Sequence, residues 1–384
     1  MPTNQAANLP PEVISDVAPD AISRTDASFT RRLQVCYPPG HGRIVLRTES
    51  DWERNIEPLT VSADGATSMF EVTSSRPYVY FKPCLHQAHQ VLWSAGPNYL
   101  LLMAEPDGRT CYPYFSAGAE GSFSSLIEIP SKILGRQHRL RVYLPPGYTE
   151  NTLATYPVIY MQDGQNLFFP EEAFQGQEWR VDETSQTLRA MRAVDDVIIV
   201  GVYNADRMRE YTKPGYETYA RSLVEELVPA EQRLLRGARD RRKRSVWGSS
   251  LGGVVSFYTA WQYPEVFGTA CCMSSTFSYQ DDLIDRVLSE PRREVGFYLD
   301  SGWPGDNYEV TLAMATALIS RGWRFGHDLI HLCFPQAAHN ESAWGIRLHL
   351  PLQFFFGAVA RASRLLSPVF SAHAQPAAAV AAQP

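Results

Sequence analysis

A serine set between glycines, a later aspartate and a histidine beyond it are the residues of this chain that could do nucleophilic chemistry together. Gly248-Ser249-Ser250-Leu251-Gly252 reads G-x-S-x-G, with Ser250 as the serine in register. In that pattern a serine sits on a sharp strand-to-helix turn with its Oγ lifted above a sheet. The turn strains the backbone at the serine and brings its flanks too close for a Cβ, which is the work of the two glycines. A Gly/Ser-rich loop would carry the same letters. The flanks favour the catalytic reading: Arg244–Trp247 reads as the end of a buried strand, and Leu251–Tyr263 contains no proline. Val254, Val255, Tyr258 and Trp261 fall at helical spacing along it.

A serine hydroxyl is a poor nucleophile at neutral pH. It needs a base, an acid to orient that base, and donors for the oxyanion. In the α/β-hydrolases, which this strand–turn–helix setting of the serine resembles, these follow in the order Ser, acid, His. His339, in Gln336-Ala337-Ala338-His339-Asn340-Glu341, opens the terminal helix after the last strand and is the expected base. His327 and His331 flank or lie in that strand, His349 is inside the helix, and His373 is in the tail. Asp306, at the end of the loop Ser301-Gly302-Trp303-Pro304-Gly305, is the expected acid. Asp300 at the strand end and Glu309 in the next helix are the alternatives, and N-capping is the other role open to Asp306. For the oxyanion, the backbone amides of Leu251 and Gln165 are expected. Gln165 lies in Gln162-Asp163-Gly164-Gln165-Asn166, where Asp163 and Asn166 would hold the loop together.

These residues need a sheet to position them. From about residue 123 strand and helix signals alternate. Strands are expected at Ser124–Pro130, Leu140–Leu144, Val158–Met161, Val197–Val202, Ser245–Trp247, Thr269–Met273, Val295–Leu299 and Leu329–Phe334. Helices are expected at Asp182–Arg192, Tyr219–Leu235, Leu251–Tyr263, Asp281–Leu288, Tyr308–Arg321 and Glu341–Phe356. Such alternation predicts an α/β domain over 123–362, a mostly parallel eight-stranded sheet with helices on both faces. Residues 33–117 carry short strand signals between turns and no helical period, and predict a small all-β sandwich. Tyr78, Tyr80, Phe81, Trp93 and Tyr99 read as its core, with a sugar-binding platform as the alternative. The ends, 1–32 and 363–384, are polar or low-complexity and read as disordered arms.

Composition sets the outer bounds. Of 384 residues, 45% are hydrophobic and 20% charged, which allows a large core. A net charge of −6 argues against nucleic acid as a partner. No apolar run reaches the length of a membrane span, and the N-terminus shows no signal-peptide pattern. The six cysteines show no metal or disulfide spacing, so a reduced, cytoplasmic protein is expected. Oligomeric state has no signature in the sequence.

With these residues in hand, the segment from about 124 to 358 resembles the putative-esterase family of α/β-hydrolases, which includes enterochelin esterases, S-formylglutathione hydrolase, feruloyl esterases and mycolyltransferases. The resemblance rests on Arg141–Tyr148, Tyr156–Phe168, Arg207–Tyr211, the elbow, and His339 followed by Trp344. It implies an α/β-hydrolase fold and a Ser/His/Asp acyl-enzyme mechanism on a small-molecule ester, without metal or cofactor. The overall plan is similar to that of enterochelin esterases, which are cytoplasmic and carry an N-terminal β-domain. The segments Tyr80–Pro83 and Leu92–Ser94 depart from theirs. Besides an esterase, an acyltransferase with the same triad or a non-catalytic carbohydrate- or partner-binding protein stays open.

Overall fold

The computed structural model describes residues 28–87, 90–116 and 118–366. The chain opens with nine strands: β1 (Phe29–Cys36), β2 (Arg43–Thr48), β3 (Asp51–Ile56), β4 (Thr60–Val61), β5 (Thr67–Ser74), β6 (Tyr78–Gln87), β7 (Gln90–Trp93), β8 (Tyr99–Leu102) and β9 (Arg109–Cys111). They form two sheets, β4-β5-β1-β9 and β3-β2-β6-β7 with β8 also on β6. Alternate residues point to one shared core, where Leu33 and Val35 meet Phe70, Val72, Val79 and Phe81. The strand pleat divides the aromatic residues. Phe81 and Tyr99 are buried and stacked, their centroids 5.5 Å apart. Trp93 is 38% exposed, contrary to the expected core role, because it stands on the other side of its strand beneath the Arg47 guanidinium.

A third sheet, of nine strands, comes next in the chain. Its strands are β10 (Ser122–Phe123), β11 (Ile127–Ser131), β12 (Arg136–Leu144), β13 (Val158–Gln162), β14 (Ile198–Val202), β15 (Arg244–Ser249), β16 (Thr269–Met273), β17 (Gly296–Trp303) and β18 (Leu329–Pro335). Their order is β10-β12-β14-β13-β15-β16-β17-β18, with β11 also on β12. From β14 to β18 neighbours run parallel, while β12 is antiparallel to β10, β11 and β14. The expected eight strands become nine because Ser122–Phe123, just ahead of the expected first strand, pairs with β12 on its own, while that first strand is Ile127–Ser131.

Helices cover both faces, which is why β13, β14 and β15 are buried at every residue. They are α1 (Val181–Ala190), α2 (Arg207–Tyr211), α3 (Gly215–Ser222), α4 (Val228–Leu234), α5 (Leu251–Gln262), α6 (Leu283–Ser289), α7 (Tyr308–Ser320), α8 (Glu341–Arg347), α9 (His349–Phe356) and α10 (Ala358–Leu366). Val158 and Tyr160 join one core with Tyr219, Val254 and Leu318. Ile159 and Met161, one residue on, join the other with Leu188, Trp344 and Leu352. The single expected helix over 341–356 is two, since Pro351 has no amide to donate to the Arg347 carbonyl and its ring crowds that carbonyl.

The first strand begins at Phe29, inside the expected N-terminal arm, and α10 runs to Leu366, past the expected end at 362. The rest of both arms, 1–27 and 367–384, lies outside the described residues. Buried hydrogen bonds tie the N-terminal sheets to the larger α/β unit. Asn151 Nδ2 donates to the carbonyls of Cys36 and Pro113, and Arg189 Nη2 to the Tyr114 hydroxyl at 3.1 Å.

Candidate active site

Strand β15 ends and α5 begins at Ser250, which holds φ 55° and ψ −124°, a conformation that strains any residue with a Cβ. The turn is too tight for side chains beside it. A Cβ on Gly248 would stand 2.4 Å from the Gly252 carbonyl carbon, and one on Gly252 would stand 3.0 Å from Asp163 Oδ2. Ser250 is nearly buried, and its amide donates to the Met273 carbonyl on β16 at 2.9 Å.

His339 lies after β18 and precedes α8, whose Asn340 cap accepts the Ala343 amide. Its Nδ1 lies 2.6 Å from Asp306 Oδ1. The edge of the Trp344 ring packs against the imidazole, with centroids 5.0 Å apart. The Asp306 side chain has no exposed surface. Its Oδ2 accepts from Ser274 Oγ at 2.5 Å and the Gly302 amide at 2.6 Å, and its Oδ1 also accepts the Asn307 amide. Burial alone would raise the pKa of this carboxyl. The hydrogen bonds from His339, Ser274, Gly302 and Asn307 outweigh it and hold the group down at about 2.

The other two carboxylates lie elsewhere. Asp300 is fully buried on β17, where it accepts from Arg347 Nη2 at 3.2 Å and the Tyr298 hydroxyl at 3.0 Å. Its burial pushes its pKa up to about 6 against the pull of Arg347. Glu309 is exposed on α7. Of the three, Asp306 is hydrogen-bonded to His339.

The loop after β13 is pinned to the elbow. Asp163, at φ 56°, precedes a 3₁₀ turn over Gly164–Asn166. Its carboxylate accepts from Asn204 Nδ2 at 2.7 Å and from Arg207 Nε at 3.1 Å. Arg207 Nη2 reaches the Ser249 carbonyl at 3.3 Å, so one guanidinium joins the loop to the residue before Ser250. Asn166 accepts the Phe174 amide and donates to Glu341. Leu251 is the first residue of α5, and Gln165 lines an open cleft of about 410 Å³ with Leu126, Arg139, Glu172, Tyr203 and Asn204. Sequence reasoning had no sign of Ser274, Asn307 or Arg347. Arg207 stood in a family-like segment without a role.

Residues 131–348 match the model of a family described as putative esterase. The chain belongs to that esterase family. A ferulic acid esterase structure is 19% identical with a TM-score of 0.53, over 62% of this chain and 98% of its own. The enterobactin esterase of Shigella flexneri, solved in the presence of enterobactin, is 14% identical with a TM-score of 0.50, over 86% of this chain and 94% of its own. At such identities the likeness is one of fold. The Bacillus subtilis protein YjcH, itself uncharacterized, is 33% identical over 149 residues, 38% of this chain. This esterase-family chain thus spans 58% of that relative's length. Among the described residues no helix is long and apolar enough to cross a membrane.

Proposed function

We propose that the chain is a serine carboxylic-ester hydrolase with Ser250 as nucleophile, His339 as general base and Asp306 as orienting acid. The observation that carries this reading is the 2.6 Å contact between His339 Nδ1 and Asp306, a buried carboxylate held as an anion by four donors. A carboxylate there fixes the tautomer that leaves Nε2 unprotonated, and it stabilises the imidazolium formed when Nε2 takes the proton of Ser250 Oγ. Oγ then bonds to the ester carbonyl carbon, and the carbonyl oxygen becomes an oxyanion facing the Leu251 and Gln165 amides. The C–O bond to the alcohol breaks and His339 returns the proton to the leaving oxygen. Water, deprotonated by His339, then attacks the acyl carbon; the acyl–Oγ bond breaks, the acid leaves, and His339 returns the proton to Ser250 Oγ.

In this reading residues 123–362 form an α/β-hydrolase domain. The two N-terminal sheets form a β-sandwich, within 33–117 and the strand before it, that positions the substrate or a partner. All six cysteines are free thiols, which fits a reducing compartment, proposed to be the cytoplasm. The test is a fluorophosphonate probe followed by a panel of acyl esters, run with and without an added alcohol. Labelling at Ser250 and release of acid support an esterase. Transfer to the alcohol at water's expense would make the chain an acyltransferase, and no labelling would reject the nucleophile.

A further inference from the structure

Strand β16 ends at Met273, and the next residue is as strained as the nucleophile. Ser274 holds φ 43° although it is not glycine and is fully buried. Such strain persists only where surrounding contacts over-determine it. Here they do. The Ser274 amide donates to the Asp300 carbonyl at 2.8 Å, and its carbonyl accepts from Asn307 Nδ2 at 2.7 Å. Its hydroxyl accepts from Arg347 Nη2 at 2.9 Å and donates to Asp306 Oδ2 at 2.5 Å. Arg347 is 2% exposed, lies over the Phe334 ring, and is paired with Asp300. Burying this guanidinium carries a large desolvation cost, which its contacts with Asp300 and Ser274 offset.

We infer that Ser274, held and polarised by the Arg347–Asp300 pair, is a positioning residue that aims Asp306 at His339. The inference rests on the catalytic reading above. A hydroxyl that accepts from a guanidinium becomes a better donor, and its only donation is to the carboxylate that faces the imidazole. Charge balance explains the fourth member. Asp306, Asp300 and Arg347 sum to one negative charge when both carboxyls are ionised, so an imidazolium at 339 brings the cluster to neutrality. Without Asp300, the guanidinium would be buried without its paired anion. The other titratable groups facing the cluster are Tyr298 on β17, Cys271 and Cys272 on β16, Cys333 on β18, and Glu341 beside His339.

The test compares Ser274→Ala and Ser274→Gly with the parent chain on one activated ester. Glycine tolerates the positive φ, so Ser274→Gly removes the hydroxyl without adding strain, and circular dichroism and thermal melting check that it folds. The expected result for both is a fall in kcat of about tenfold to a hundredfold, as for losing a hydrogen bond to a charged group, with KM within about twofold. The acid limb of the kcat/KM profile should move to higher pH in both, because a carboxylate with one donor fewer holds the imidazole proton more tightly. Arg347→Met should lower kcat in the same direction. A folded Ser274→Gly enzyme with unchanged kcat and an unmoved acid limb overturns the inference. If Ser250→Ala in the same series abolishes turnover, the catalytic reading survives that failure. If Ser250→Ala stays active, the catalytic reading itself is wrong.

Discussion

The amide of Ser250 donates to the carbonyl of Met273 at 2.9 Å, so the elbow on β15 is anchored to the last residue of β16. The bond holds two strained serines, 250 and 274, in fixed register across neighbouring parallel strands. Ser250→Ala keeps the Cβ that the turn already accommodates and removes only Oγ. It should fold normally and lose on the order of 10⁴-fold or more in kcat. Steady-state assays with melting curves check this.

Gly248→Ala is expected to act on the fold. Its new Cβ would lie 2.4 Å from the Gly252 carbonyl carbon and equally close to its oxygen, backbone atoms that cannot rotate away. Overpacking of that kind costs about 1–3 kcal/mol, and the elbow has no slack to lower it. Urea denaturation should show the lower midpoint, and fluorophosphonate labelling should slow in whatever folded fraction remains. A midpoint equal to the parent's would show that the turn can open.

Asp306→Asn should lower kcat roughly 10²- to 10⁴-fold with little change in KM, since it loses the carboxylate that stabilises the imidazolium. Glu309→Gln, exposed on α7, should leave both parameters near the parent's. Asp300→Asn should act mainly through stability, leaving Arg347 buried without its anion. Equal kinetic effects at 300 and 306 would remove the support for Asp306 as the orienting acid.

Acid should weaken the fold through Asp306. Its folded-state pKa, about 2, lies below the ordinary value of 3.8. Its contribution is therefore fully present above about pH 4 and is lost as pH falls toward 2. The size is about 2 kcal/mol. Asp300 has the opposite sign. Held at about 6, it favours the fold while protonated and gives that up as pH rises from about 4 to 6. Urea midpoints measured across pH 2–7 should converge for Asp306→Asn and the parent at the acid end and diverge above pH 4. Parallel curves would contradict the pairing.

A chain beginning at Gly118 should keep hydrolysis of a small activated ester within about tenfold, because Ser250, His339 and Asp306 all lie in the connections of the nine-stranded sheet. Its stability should drop, as Arg189 and Asn151 lose buried partners at Tyr114, Cys36 and Pro113. Loss of all turnover in a folded truncation would mean that the N-terminal sheets complete the site.

Local physics made much of this chain legible from its letters. The apolar runs of β13 to β16 and the helical spacing after Ser250 are set by burial and period, and the elbow glycines by sterics within a few residues. Polar edge strands were not legible: Asp51–Ile56 pairs only on one side, and Thr60–Val61 is two residues long, so neither carries a buried alternation. The position of Pro351 marked where the terminal helix must break, yet the many apolar residues on either side, Leu348, Leu350, Leu352 and Phe354 among them, masked it. The sequence favoured Asp306 by its place on the Gly/Pro loop but showed none of its partners, because Asp300 and Asp306 succeed one another on the same strand and loop. What separates them is Arg347, which claims Asp300, and Ser274, which hands its hydrogen bond to Asp306. Those two residues are 73 positions apart and meet only because β16 and α8 converge at one end of the sheet. Strand and turn formation depend on neighbours along the chain. A buried charge network depends on neighbours in space, and only the tertiary fold supplies those.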